Sequence, residues 1–295
     1  MSKNQKGVLL IAIGAICFSA KAIFIKLAYK QFDVDDLTLL TLRFGMALPV
    51  FILITFWNYS KGKMKAIEKR DIGWIAFLAM LGYYLASWLD FKGLQYISAG
   101  IERIILFIYP SFVVIFSRIF LKKTISRTAV IALAITYFGI VIIGLDPHLL
   151  EAKNLLKGAV FILISALTYS VYLTFGSEMI NKYGSVNFNC IAMIFSSAYV
   201  LIHYAVFSEV DLLNLPTGVY IYGFLLAMVS TIIPTFLVME GIRILGAGQG
   251  AVVSSIGPVS TIVMGYYFLG EALSFQEMAG SALVLGGILL IGKKK

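Results

Sequence analysis

The sequence predicts an all-α integral membrane protein with ten transmembrane helices, arranged as two inverted five-helix repeats. Three observations predict it. The 295-residue chain is 60% hydrophobic and 13% charged, with a mean hydropathy of +0.93, where a soluble domain carries roughly 25% charge. Its apolar runs are continuous rather than alternating, which excludes a membrane β-barrel. The chain also repeats itself without a gap: at an offset of 148, Gly93–Gly144 lies on Gly241–Gly292. That register superposes Gly93, Gly100, Pro110, Gly139 and Gly144 on Gly241, Gly248, Pro258, Gly287 and Gly292. Matched glycines and prolines mark shared backbone features, which composition alone would not align. The start of each half agrees at an offset of 151, with Lys6-Gly7, Ala15 and Ser19 on Lys157-Gly158, Ala166 and Ser170.

A spanning helix needs about 20 mostly apolar residues. The first run, 7–28, is the repeat partner of a segment deep in the chain. It therefore reads as a helix and not as a cleaved signal peptide, although Ala20-Lys21-Ala22 loosely fits a cleavage site. Runs 36–57 and 72–95 flank a basic loop. Runs 100–120 and 126–144 complete a first unit, 7–144. The second unit, 157–292, holds runs 157–179, 187–207, 217–241, 247–269 and 275–292. Pro49, Pro110, Pro234 and Pro258 fall inside runs. A proline frees a backbone carbonyl and permits a bend, which marks Pro110, Pro234 and Pro258 as bending points. Gly246-Ala247-Gly248-Gln249-Gly250 follows no strand, so it is not a nucleotide loop; it permits close approach or bending. Gly280, Ala282, Gly286 and Gly287 suit tight helix packing.

Charge sets the orientation. Fifteen Lys and Arg residues fall at the termini and in the loops on their side, and four in the opposite loops. Positive-inside then places both termini in the cytoplasm, with the chain multi-pass in the cytoplasmic membrane. An odd number of helices per unit inverts the second. Inverted repeats are the usual architecture of alternating-access transporters, with the substrate at the repeat interface. The net charge of +9 sits in loops between spans, so a nucleic-acid partner is excluded in favour of the lipid bilayer. Cys17 and Cys190, one per half, imply neither a disulfide framework nor a metal site, and no cofactor is expected. No His-rich cluster or Ser/His/Asp set supports catalysis, so an enzyme is not expected.

The informative residues are ionisable groups inside spans, which cost on the order of 3 kcal/mol each at a helix centre unless they face a cavity or each other. Lys21, Arg43, Asp90, Glu102 and Arg103 converge on one layer in the outer half of the first unit. Their repeat partners are Tyr172, Ile194, Val238, Gly250 and Ala251, so the fold itself does not need them. They read as a binding site or gate for a charged or zwitterionic solute, or as a structural network with pairs such as Lys21–Asp90 and Arg43–Glu102. Helical spacing adds a lining. Tyr83, Ser87 and Asp90 share a face, with Tyr84 and Trp88 beside it. Ser165, Tyr169 and Tyr172 form a stripe. Ser230, Thr231 and Thr235 make one polar stretch, and Ser254 and Ser255 another. His203 reads as a lone interfacial side chain, and Glu240 and Arg243 as an edge pair.

With the repeat and motifs placed, the chain resembles the EamA family of the drug/metabolite transporter superfamily. The resemblance rests on Leu42-Arg43-Phe44, on Gly93-Leu94-Gln95-Tyr96 leading to Tyr109-Pro110, and on Gly257-Pro258 followed by Phe268-Leu269-Gly270-Glu271. In the first unit Leu121-Lys122-Lys123 stands in place of the usual Leu-Gly-Glu, and Ile101-Glu102-Arg103 is more charged than typical. The resemblance implies secondary transport, often export, of amino acids or other small metabolites. It also implies a cavity lined by helices 1, 3, 4, 6, 8 and 9. The expected partners are a small-molecule solute and a coupling proton carried by Asp90 or Glu102, in a monomer or homodimer. Two other cargoes stay open: a lipid-linked headgroup, moved by a flippase, and a nucleotide-like metabolite such as S-adenosylmethionine.

Overall fold

The computed structural model describes residues 2–122, 124, 126–144, 154–254, 256–270 and 274–292. These form ten helices: α1 Lys3–Gln31, α2 Asp36–Ser60, α3 Lys69–Leu94, α4 Ala99–Ile119, α5 Arg127–Gly144, α6 Leu155–Tyr183, α7 Ser185–Phe207, α8 Thr217–Leu245, α9 Ala247–Leu269 and α10 Phe275–Gly292. Eight are long and apolar enough to cross a membrane. The last helix of each repeat, α5 and α10, is shorter, with 18 residues. Caps start several of them. Ser2 and Gln5 form a capping box on α1, and the Asp35 carboxylate accepts from Thr38 N at 2.6 Å on α2. Gly184 and Gly246, at φ +86° and +82°, each serve as a one-residue joint between helices, α6 to α7 and α8 to α9. Only glycine adopts that backbone at little steric cost.

The repeats exchange partners across a pseudo-two-fold axis. Helix α1 of the first repeat packs on α8 of the second, and α6 of the second on α3 of the first. Equivalent residues make equivalent contacts. A Cβ added at Gly241 would lie 2.2 Å from Ile11 and 3.1 Å from Gly7 O. At Gly93 it would lie 2.4 Å from Ile162 and 3.3 Å from Gly158 O. Thus the aligned glycines let backbones approach where lipid offers no hydrophobic drive for helix association. On the axis, α2 pairs with α7 and α5 with α10. There Gly139 abuts the Gly280 backbone, and Gly287 abuts Ala132 O and Thr136. Gly286 faces open space instead, and Ala282 is exposed, so only part of that small-residue stretch is a packing face.

Most irregular turns also obey the repeat, although a π-helical turn at Gly265–Leu269 in α9 has no counterpart in α4, which is α-helical from Tyr109 to Ile119. A π-helical turn at Met80–Leu85 in α3 has its counterpart at Met228–Ile232 in α8. Helix α4 is interrupted at Phe107 and Ile108, ahead of Pro110, and α9 at Ser254, ahead of Pro258. Pro234 follows the π turn of α8 directly. Pro49 lies inside an uninterrupted α2. Interrupted helices free backbone groups at membrane depth, and such backbone is tolerated where it is buried in protein or lines a cavity.

Candidate functional site

The irregular turns of α3, α4 and α9 border a cavity of about 90 Å³ between the repeats. Its wall comes from α1 (Ala15, Phe18, Lys21), α3 (Gly82, Tyr83, Ala86, Ser87, Asp90), α4 (Arg103, Leu106, Phe107, Tyr109), α6 (Ser165, Tyr169), α8 (Val238) and α9 (Ser254, Gly257), with Arg43 from α2. The six helices expected from sequence all contribute, and α2 is added.

All five intramembrane charges are less than a tenth exposed and are brought together. Lys21 Nζ lies 2.5 Å from Asp90 Oδ2 and 3.9 Å from Glu102 Oε1. Arg103 Nε lies 3.3 Å from Glu102 Oε2, and its Nη2 donates to Phe18 O at 2.9 Å. The Lys21–Asp90 pair is therefore present, but the Arg43–Glu102 pair is not. Arg43 instead crosses to the other repeat, donating from Nε to Thr231 Oγ1 at 2.6 Å and from Nη1 to Ser87 Oγ at 3.3 Å. Thr231 sits in the π turn of α8 and donates in turn to Leu226 O at 2.8 Å. Low dielectric strengthens each of these contacts and makes an unpaired charge costly.

Several candidates fall elsewhere. Glu102 is fully buried behind the wall rather than on it. Tyr172 is fully buried too: its ring seats on Gly82, where an added Cβ would lie 2.2 Å away, and it packs between Tyr83 and Phe188. Tyr84 and Trp88 turn toward α7, where His203 is 3.2 Å from the Tyr84 hydroxyl and edge-on to Trp88. His203 is thus part of an aromatic cluster and not alone. Ser254 lines the cavity, whereas Ser255 lies outside the described residues. Glu240 and Arg243 pair at 2.5 Å. The sequence reading did not pick out Leu106 and Phe107; only the break ahead of Pro110 signals that backbone and side chains there turn inward. Cys17 and Cys190 are unbridged, and among the described residues no three His, Cys, Asp or Glu side chains group to hold a metal.

The comparison with known proteins decides the family. The model of the EamA-like transporter family matches residues 5–145 and again 156–293. This chain belongs to the EamA-like transporter family. The transporter is 32% identical over 292 residues to a Bacillus subtilis (strain 168) protein described as the uncharacterized transporter YcbK, covering 97% of this chain and 91% of that one. An Archaeoglobus fulgidus protein described as an uncharacterized transporter is 26% identical over 278 residues, covering 92% and 94%. A solved crystal structure superposes with a TM-score of 0.72 at 17% identity, over 94% of this chain and 97% of that one, a likeness of fold. The protein is thus a multi-pass membrane transporter and not an enzyme, and its two matched repeats build the cavity between them.

Proposed function

We propose that this transporter is a secondary transporter of small polar metabolites such as amino acids, exporting them across the cytoplasmic membrane by alternating access. The two inverted five-helix units, 7–144 and 157–292, rock about the cavity between them. One observation carries the reading: a buried Lys21–Asp90 bridge, backed by Glu102 and Arg103, stands at a cavity built from both repeats. Such a cluster is costly in a membrane and is absent from the second repeat, so it points to solute handling rather than to support of the fold. The cavity is small beside the 300–1,000 Å³ or so of sites for drug-sized ligands, which favours a small metabolite. Asp90 or Glu102 carries the coupling proton, and both termini face the cytoplasm.

The test is thermal stability of the detergent-purified protein against amino acids, nucleotides, S-adenosylmethionine, organic cations and lipid headgroups. A solute that binds the folded state at a hundredfold excess over its Kd adds about 2.7 kcal/mol. The expected result is a shift from one class of small solute, lost in Asp90→Asn, followed by flux of that solute into proteoliposomes. A shift from lipid headgroups alone, with no flux of any soluble compound, would sink the reading.

A further inference from the structure

We infer that the cavity is built for a solute of net negative charge, a carboxylate on a small apolar or aromatic body, and that Arg43 receives it. This rests on reading the cavity as a small-metabolite site and, within that class, favours carboxylate anions over zwitterionic amino acids.

Charge accounting comes first. The cluster holds three cations, Lys21, Arg43 and Arg103, and two carboxylates, Asp90 and Glu102. Both carboxylates are already engaged, Asp90 by Lys21 at 2.5 Å and Glu102 by Arg103 at 3.3 Å. The remaining positive charge is Arg43, which is 2% exposed. Among the described residues no carboxylate lies within the 4.0 Å that defines an ion pair with it. Its hydrogen-bond partners are two neutral hydroxyls, of Thr231 and Ser87, which take Nε and Nη1. The Phe91 ring covers one side at 5.7 Å. The rest of its donor fork is left over at the cavity wall. Asp90 attracts Arg43 from beyond ion-pair distance but is already bound by Lys21, so the cluster holds one buried cation more than it has carboxylates. A buried excess cation is disfavoured, and an anion in the cavity would match it. The planar fork suits a carboxylate, which it binds by two parallel hydrogen bonds.

The other end of the solute is equally constrained. Phe18, Tyr83, Tyr109 and Tyr169 present rings around the cavity. Asp90 is the one carboxylate on the wall among the described residues, and Lys21 already neutralises it. The second repeat supplies Val238 at the equivalent position. A free ammonium would therefore have to displace Lys21 from Asp90. A zwitterion satisfies Arg43 but leaves its own cation unmatched, and an organic cation meets a wall already positive.

The experiment uses the full-length protein in detergent and two matched triplets: propionate, alanine and propylamine, then 3-phenylpropionate, phenylalanine and phenethylamine. Affinities are measured at pH 7 by calorimetry and by thermal shift. The expected result is that the anion of at least one triplet binds at least about tenfold more tightly than its zwitterion and cation, since an unmatched charge is the discriminating element. Arg43→Gln abolishes that binding, Ser87→Ala weakens it, and Arg43→Lys weakens it about tenfold by keeping charge but losing the fork. If Arg43→Gln does not fold, the Lys and Ala variants carry the test. Equal or tighter binding of the zwitterion or cation, anion binding unchanged in Arg43→Lys and Ser87→Ala, or no binding by any member would each overturn the inference. Flux separates the two claims. Zwitterion binding with zwitterion flux sinks the anion site and leaves metabolite transport standing. Arg43-dependent anion binding without anion flux into proteoliposomes upholds the site and sinks transport through it.

Discussion

At the scale of residues, Lys21 and Asp90 were legible because a charge inside an apolar span needs a partner, and these lie at similar depths on adjacent helices. Their 2.5 Å contact is almost wholly buried, and Glu102 adds a second carboxylate at 3.9 Å. Breaking a buried pair from one side leaves an uncompensated charge, whereas replacing both partners by apolar groups does not. Lys21→Met and Asp90→Leu should each destabilise the protein by about 3–5 kcal/mol, and the double variant should recover most of that loss. Unfolding in detergent, read as a double-mutant cycle, checks this; additive losses would mean that the two are not coupled. The partner of Arg43 was not legible. Thr231 belongs to the other repeat, and no spacing along the chain reports the rotation that brings α8 to α2. Tyr84 and Trp88 were misplaced for a related reason. They flank the cavity face of α3, and the neighbour that covers them, α7 with His203, could not be placed from sequence.

At the scale of elements, ten helices could be read because hydropathy and the repeat say the same thing, and their ends fall within a few residues of expectation. The π turns at Met80–Leu85 and Met228–Ile232 were not legible, since only the second precedes a proline. Glycines report packing that composition hides. At Gly139 an added Cβ would meet the Gly280 carbonyl oxygen at 2.5 Å, an atom that moves only with its helix, while Gly286 on the same pair of helices meets nothing within 4 Å. Gly139→Ala should therefore lower stability by about 1–3 kcal/mol through separation of α5 and α10. Gly286→Ala should leave stability unchanged or raise it by up to about 1 kcal/mol through helix propensity. Thermal unfolding of the two variants side by side tests the assignment, and equal effects would contradict it.

At the scale of the whole molecule, the two ends differ in how the repeats are fastened. Where the N-terminus lies, the α2–α3 segment of the first repeat is tied to the α6–α7 joint of the second. Lys182 Nζ reaches Glu68 Oε1 and Asp71 Oδ2, each at 2.7 Å, and the Tyr183 hydroxyl donates to Asp71 at 2.5 Å. Lys65 adds a bond to Lys182 O at 3.2 Å. At the other end the ties between repeats include Tyr222 to Gln31 at 3.2 Å and the ring of Phe32 against Tyr222 and Gly218. In the alternating access proposed above, rocking of one repeat against the other would open each end in turn, so the charged clamp would have to release during transport. Lys182 is exposed, and exposed ion pairs add little to stability. Lys182→Ala should therefore leave global stability nearly unchanged, yet shift the opening equilibrium of that end by about two- to fivefold. The readout is a cysteine at the cavity wall, Ser254→Cys in a Cys17→Ser, Cys190→Ala background, labelled by a membrane-impermeant maleimide from the side that carries the termini. Labelling should speed up by that factor in Lys182→Ala. An unchanged rate would mean that the clamp holds the loops together without controlling access from that side.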